Sequence, residues 1–441
     1  MEPPQMETPA PTEKPRDPLH WPPASGESES HPIRPSVRPP VGIDRPTGIE
    51  ELCRCQCLPP FAKIPHGSTL HGLSVGNVSG CAYPCRSPFL QHSASHQNFI
   101  TTWIGVWSVS CCLITFVTFA SFLVDMDRFR YPERPVFFLA FCYFMVSIGY
   151  IIRLVAGHDA VACQGNIVRA GTQGPAVCTV VFLLIYFFGM ASSVWWVVLS
   201  LTWFLASGLK WSNEAIASYS QYFHIVAWTL PSVKTVIVLV LTAVDGDPLA
   251  GVCYVGSTNV NFLRAFVLGP LFAYLVLGVC FLTAGFVSLI RIHNVVKQQQ
   301  GRGKIEKLER LMVKIGIFSV LYTIPAAFVL GCLFYEQHYR TIWETSATCP
   351  CIRTADVQEA VFVLALVKYS MSLIVGVTSG LWIWSTKTLT SWRRFLARFL
   401  CCDPQPAMYQ PTEAIIIKSH TDLSSQAYTT NSRHVYPINH V

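Results

Sequence analysis

VCTVVFLLIYFFGMASSVWWVVLSLTWFLA, residues 177–206, contains no Asp, Glu, Lys, Arg or His. A helix that crosses the hydrocarbon core of a bilayer needs about 20 such apolar residues. Inside lipid every backbone donor and acceptor must be satisfied within the protein, so a run this long is read as a helix. It is not alone. From Phe99 onward, long apolar runs alternate with short polar ones, giving seven segments: 99–124, 136–155, 177–206, 223–244, 262–290, 312–334 and 360–384. The expected fold is an all-α membrane protein, a seven-transmembrane helix bundle.

The composition agrees with the segment count. Hydrophobic residues make up 51% of the 441-residue chain and charged residues 13%, with a mean hydropathy of +0.39. A soluble domain carries roughly 25% charged residues. The length alone would allow about three soluble domains, but so few charges cannot cover their surface. An ordinary soluble enzyme is excluded. The net charge of +7 does not signal nucleic acid, because the basic residues lie between apolar segments in the manner of membrane topology.

Those basic residues orient the bundle. Arg128, Arg130 and Arg134 follow the first segment, Arg291, Lys297, Arg302, Lys304, Lys307 and Arg310 lie between the fifth and sixth, and Lys314 stands at the start of the sixth. Lys387, Arg393, Arg394 and Arg398 follow the seventh. The opposite loops carry little beyond Arg169, Arg340 and Arg353. The positive-inside rule places the basic side in the cytoplasm, the N-terminus outside and the C-terminus inside. Of the 17 cysteines, ten fall on the side read as outer: Cys53, Cys55, Cys57, Cys81, Cys85, Cys163, Cys178, Cys253, Cys349 and Cys351. Disulfides persist in that compartment.

Around the bundle, residues 1–50 read as a disordered Pro-rich segment and 51–98 as an extracellular Cys-containing linker. The bundle occupies 99–385, an amphipathic eighth helix 386–400, and a disordered cytoplasmic tail 401–441. In the eighth helix Leu389, Trp392, Phe395, Leu396 and Phe399 form an apolar side opposite arginines, as in a helix lying along an inner leaflet. Cys401 and Cys402 behind it suit S-palmitoylation. Asn77, in Asn-Val-Ser, is a glycosylation sequon on the outer side. Lys234, Arg264 and Lys368 fall in or at apolar segments, where an isolated charge costs a few kcal/mol, so Lys234 and Lys368 are expected to be paired or functional. The 13 histidines are scattered. Neither a metal motif nor a catalytic or cofactor-binding constellation is legible.

Lys387-Thr388-Leu389-Thr390-Ser391-Trp392 is similar to the KTxxxW motif that follows the seventh helix of Frizzled receptors. Further stretches resemble that family in order: WIGVWSV from Trp103, DRFRYPERP from Asp127, DGDPLAGVCYVG from Asp245, KLERLMVKIGIFS from Lys307 and GLWIWS from Gly380. CRCQCLPPF and GCAYPC resemble the Frizzled five/eight subgroup most. The resemblance covers residues 51–400 and implies a seven-helix receptor of the Wnt pathway, not an enzyme. It implies Dishevelled as cytoplasmic partner through Lys387, Thr388 and Trp392. Wnt ligand, a co-receptor and a heterotrimeric G protein are further partners of the class, and the terminal Val441 suits a PDZ domain. It also implies an activation switch between Lys314 and Trp382, and disulfides Cys178–Cys253 and Cys85–Cys163. Cys81 would pair with Cys53, Cys55 or Cys57, and the state of Cys349 and Cys351 is open. The family carries a cysteine-rich ligand-binding domain ahead of its linker. Residues 1–50 hold no cysteine and are not expected to form it, which leaves ligand response open. A ligand-independent decoy that binds Dishevelled and a transporter are the alternatives.

Overall fold

The computed structural model describes residues 55–124 and 131–399, apart from 66, 68–72, 87–93, 132, 172–173, 299–304, 350–356 and 381–385. The described residues belong to one compact unit, Leu52–Val441. Seven of its helices are long and apolar enough to cross a membrane, and the chain is a multi-pass membrane protein.

In chain order the helices are α1 (Ala94–Val124), α2 (Arg134–Ala156), the short α3 (His158–Ala162) and α4 (Ala176–Ser207). There follow α5 (Asn213–Ser218), α6 (Ser220–Val240) and α7, which spans Val260–Arg291 and continues to Gln298. α8 (Ile305–Thr348), α9 (Val357–Ser379) and α10 (Thr386–Phe399) complete the set. Local chemistry fixes several ends. α2 has Pro135 in its first turn, where the missing N–H costs nothing, and stops at Gly157 with φ 91°. Ser212 caps α5 by accepting the Ala215 N–H at 3.2 Å.

α4 lies at the centre of the packing. Trp195, Trp196 and Trp203 are fully buried along it. Trp196 stacks on Tyr322 of α8 with ring centres 4.9 Å apart, and Trp203 meets Phe286 of α7 edge-on at 4.7 Å. Gly278 and Gly285 on α7 lie against the Trp196 and Trp203 indoles, and a Cβ at either position would press into the ring. Lipid supplies no hydrophobic drive between helices, so small residues that let backbones approach matter here. π turns interrupt α4 at Leu183–Phe187 and α7 at Leu263–Leu268.

Above the helices on the disulfide-bearing end sit four antiparallel ribbons. β1 (Ala62–Lys63) pairs with β4 (Cys81–Ala82), and β2 (Ser74–Val75) with β3 (Val78–Ser79). β5 (Cys163–Gln164) pairs with β6 (Ile167–Val168), and β7 (Val244–Gly246) with β8 (Cys253–Val255). Two-stranded pieces this short are marginal alone. Disulfides hold them: Cys57–Cys81, Cys85–Cys163, Cys178–Cys253 and Cys55–Cys349.

Some boundaries differ from the expectation, as where the fourth membrane helix stops at Val240 rather than 244. α1 begins at Ala94, inside the stretch read as linker. The sixth membrane helix does not stop at Phe334, because α8 continues through a polar stretch to Thr348. The seventh is described as an α-helix to Ser379, and the end of its expected span, 381–384, lies outside the described set. The termini 1–54 and 400–441, with Cys53, Cys401, Cys402 and Val441, lie outside it too, as do Cys351, Arg353 and Trp382.

Candidate functional site

The polar extension of α8 carries Glu336, Arg340 and Glu344, three residues at one-turn spacing that share a helix face. Each finds a partner across the bundle. Lys368 of α9 donates to Glu336 Oε2 at 2.9 Å, pairing one of the membrane cations. Arg340 lies 3.3 Å from Glu344 Oε1 and donates to the Gly256 carbonyl at 2.7 Å. Glu344 also receives the Tyr83 hydroxyl, and its Oε2 accepts the Gly76 N–H at 3.0 Å. Gly76 sits in the β2–β3 turn at φ 58°, a conformation suited to glycine. Burial pushes the Tyr83 phenol far up, so it remains a donor to the carboxylate. Beside this group Asp247 accepts from Tyr369 of α9 and from the Leu249 N–H at 2.8 Å.

These side chains edge a cavity of about 240 Å³ in the bundle under the β7–β8 ribbon. Tyr150, Trp196, Tyr322 and Val375 line its deeper wall, and Asp247, Glu336, Arg340 and Lys368 its polar rim. The linker is therefore attached to the end of α8 three times: through Glu344, through the Gln56 N–H donated to the Thr348 carbonyl at 3.0 Å, and through Cys55–Cys349. The disulfide gives Cys349 a partner that the sequence leaves open. Cys81 takes Cys57 among its three candidates, and Cys85–Cys163 and Cys178–Cys253 are joined.

A second cluster lies beside α3. Arg153 reaches His158 Nδ1 at 3.2 Å, while His158 Nε2 lies 2.9 Å from the Cys85 carbonyl oxygen. Burial pulls the His158 pKa down, against the backbone hydrogen bond to Cys85, and the Arg153 charge adds to the lowering. Cys85, His158 and Cys163 are near enough to share a metal ion. The Cys85–Cys163 bond occupies two of those three donors. Burial raises the pKa of Asp245, which accepts the Thr258 hydroxyl at 2.6 Å. Asn77 is exposed in the β2–β3 turn, where a sugar has room.

At the opposite, basic end α10 packs on α1. Thr388 is buried at 7% exposure and Trp392 is half-buried. Trp392 Nε1 donates to Ser121 Oγ on α1 at 2.7 Å. Arg393 and Arg394 are exposed, and Leu396 is 48% exposed. The helix thus turns its motif residues Thr388 and Trp392 toward the bundle, with its arginines outward. Lys387 lies in its first turn and Lys314 is exposed near the inner end of α8. With Trp382 outside the described residues, the expected Lys314–Trp382 contact is not among the described ones. Lys234 donates to the Tyr274 hydroxyl at 2.7 Å with its ammonium 4.7 Å from that ring centre, and Arg264 pairs with Gln337 at 2.8 Å.

Reading the sequence singles out Lys368 and the KTxxxW residues but misses Glu336, Glu344, Tyr83, Asp247, Tyr369 and Ser121. A signal for two of them was present: the four-residue spacing of Glu336, Arg340 and Glu344 marks a helix face that continues past the apolar run.

Seven lipid-spanning helices, a disulfide-tied outer cap and an amphipathic helix on the basic end define a seven-helix membrane protein of the receptor type. Residues 91–399 match the Frizzled/Smoothened family membrane region, and the chain belongs to that family. It is 53% identical over 370 residues to Frizzled-5 of Xenopus laevis, covering 83% of this chain and 65% of that protein. Frizzled-5 of Homo sapiens is 53% identical, with 84% and 63% covered. Frizzled-8 of Xenopus laevis is also 53% identical, with 84% and 64% covered. The chain spans just under two thirds of the length of these relatives.

Proposed function

We propose that this chain is a Wnt-pathway receptor that transduces to Dishevelled through its basic, cytoplasmic face. The observation that carries the reading is α8. It runs without a break from Ile305, in the basic loop, to Thr348 beside the Cys55–Cys349 bond. A helix rises 1.5 Å per residue, and Pro325 removes one backbone hydrogen bond midway along this one, so a pull on the linker reaches the inner end as a shift or a bend of a single continuous helix. The buried Glu344 attachments couple the linker to its outer end. In this reading Wnt acts from the outer side with a co-receptor, and Dishevelled binds near Lys387, Thr388 and Trp392, with the loop around Lys304–Lys314 contributing. A heterotrimeric G protein would use the same inner face.

The test is co-expression of labelled Dishevelled with the wild-type chain, Lys387→Ala and Trp392→Ala, scored by membrane localisation at matched surface expression. Wild type is expected to recruit, and each variant to lose about tenfold or more, corresponding to at least ~1.4 kcal/mol. Equal recruitment by all three overturns the assignment of the surface. Recruitment by wild type with no response to added Wnt would favour a Dishevelled-binding decoy.

A further inference from the structure

We propose that Ser121 is a positioning residue for the cytoplasmic surface: it holds α10 on α1 by accepting the Trp392 indole N–H. The consequence is that Trp392 acts from behind the surface, and Arg393 and Arg394 are what a partner meets. This rests on the Dishevelled reading for the identity of the partner, but not for the docking itself.

The chemistry of the contact is complete on both sides. A serine hydroxyl has one hydrogen to donate and two lone pairs to accept with. Ser121 Oγ donates to the Val117 carbonyl of its own helix at 2.7 Å and accepts from Trp392 Nε1 at 2.7 Å. An indole has one polar atom, a donor, and no other way to satisfy it. Ser121 is 3% exposed, so no water replaces it there. Thr388 is buried on the same side one turn earlier, and Phe395 meets the Trp392 ring edge-on at 6.1 Å. Three successive positions along α10 thereby face the bundle or its edge. The hydrogen bond gives this side of α10 a fixed direction. A hydrophobic strip tolerates rotation of the helix about its axis, whereas an N–H aimed at one hydroxyl does not. Rotating α10 by one residue, about 100°, would break the bond and carry Arg393 toward the bundle in place of Trp392.

The exposed side then has a definite composition. Arg393 and Arg394 offer planar guanidinium groups turned away from the Trp392 side. Such a surface suits an acidic protein patch.

The experiment uses the full chain in lipid nanodiscs, with hydrogen exchange of residues 386–399 and Dishevelled recruitment in cells read side by side. Ser121→Ala removes the acceptor at nearly constant volume, and Trp392→Phe removes the N–H while keeping an aromatic ring, at some loss of volume. Both are expected to speed exchange in α10 and weaken recruitment about five- to tenfold, and the double variant should be no worse than either single one. Ser121→Thr keeps a hydroxyl and should restore both readouts. Arg393→Glu with Arg394→Glu should lower recruitment while leaving exchange in α10 unchanged. Additive losses in the double variant, or exchange in Ser121→Ala indistinguishable from wild type, would overturn the proposal. If wild type recruits no Dishevelled, the functional reading falls. The exchange measurements still decide the docking, supporting it when both single variants speed exchange and rejecting it when neither does.

Discussion

His158 shows how a single residue ties local chemistry to stability. Its ring is held between the Arg153 guanidinium and the Cys85 carbonyl, and burial with the nearby positive charge lowers its pKa. Asp159 and Asp247 oppose that lowering without reversing it. In the unfolded chain a histidine takes its proton near pH 6.5. Below that value the unfolded state therefore binds more protons than the folded one, and stability falls with decreasing pH. The contribution is fully present above about pH 6.5 and is lost as the pH drops toward the folded pKa. Apparent Tm measured from pH 8 to 5 should fall more steeply for the wild-type chain than for His158→Gln. The largest slope one such group can supply is about 1.4 kcal/mol per pH unit. Parallel curves would mean that His158 is not held neutral.

Among elements, the contact of α4 with α7 makes the sharpest demand. Gly278 lies against Trp196, which is 1% exposed and has Tyr322 stacked on it. The indole has nowhere to move. Gly278→Leu should lower the apparent Tm and surface expression, since overpacking a closed core costs about 1–3 kcal/mol. Gly331 on α8 has no atom within 4 Å of where a Cβ would stand. Gly331→Ala should therefore be neutral or stabilising by up to ~1 kcal/mol, through helix propensity. Similar loss in both variants, read by thermal unfolding, would show that glycine flexibility rather than close approach is at stake. The same elements show what the sequence discloses. The seven apolar runs are legible because the bilayer makes length and apolarity sufficient. The polar continuation of α8 leaves only the four-residue spacing of Glu336, Arg340 and Glu344 as a mark, because Tyr335–Thr348 is held in place by Lys368, Gly256, Tyr83 and Cys55, all distant along the chain. Ribbons of two or three residues are too short to show an alternating pattern, and the π turns leave no mark in an apolar run. At the inner site the KTxxxW residues stand out by resemblance, while Ser121 is one serine among many until α10 is seen against it.

For the whole molecule, the question is what each disulfide restrains. Cys55–Cys349 joins residues 294 apart, and the chain-entropy model would give a loop of that size about 5 kcal/mol if it closed alone. It does not close alone. Cys57–Cys81 and Cys85–Cys163 already fix the linker to itself and to the β5 strand, and the membrane holds the base of α8. The loop that remains for Cys55–Cys349 to close is short, so its global effect should be small and its local effect large. The double variant Cys55→Ser, Cys349→Ser is thus expected to reach the surface and to lose only a few degrees in apparent Tm. Hydrogen exchange should rise in residues 335–348, which lose their covalent attachment to the linker, and remain unchanged in α4. Glu344 keeps a side-chain attachment through Tyr83 and Gly76, beside the Gln56–Thr348 backbone bond, so adding Glu344→Ala should release the extension further and take from Arg340 the carboxylate one turn away. In the receptor reading, that triple variant separates outer from inner face. Dishevelled recruitment on overexpression should persist, because α10 and Ser121 are untouched, while any response arriving through the linker should disappear. Unchanged exchange along 335–348 in the triple variant would show that the packing of α8 against α9, rather than the linker, holds the extension in place.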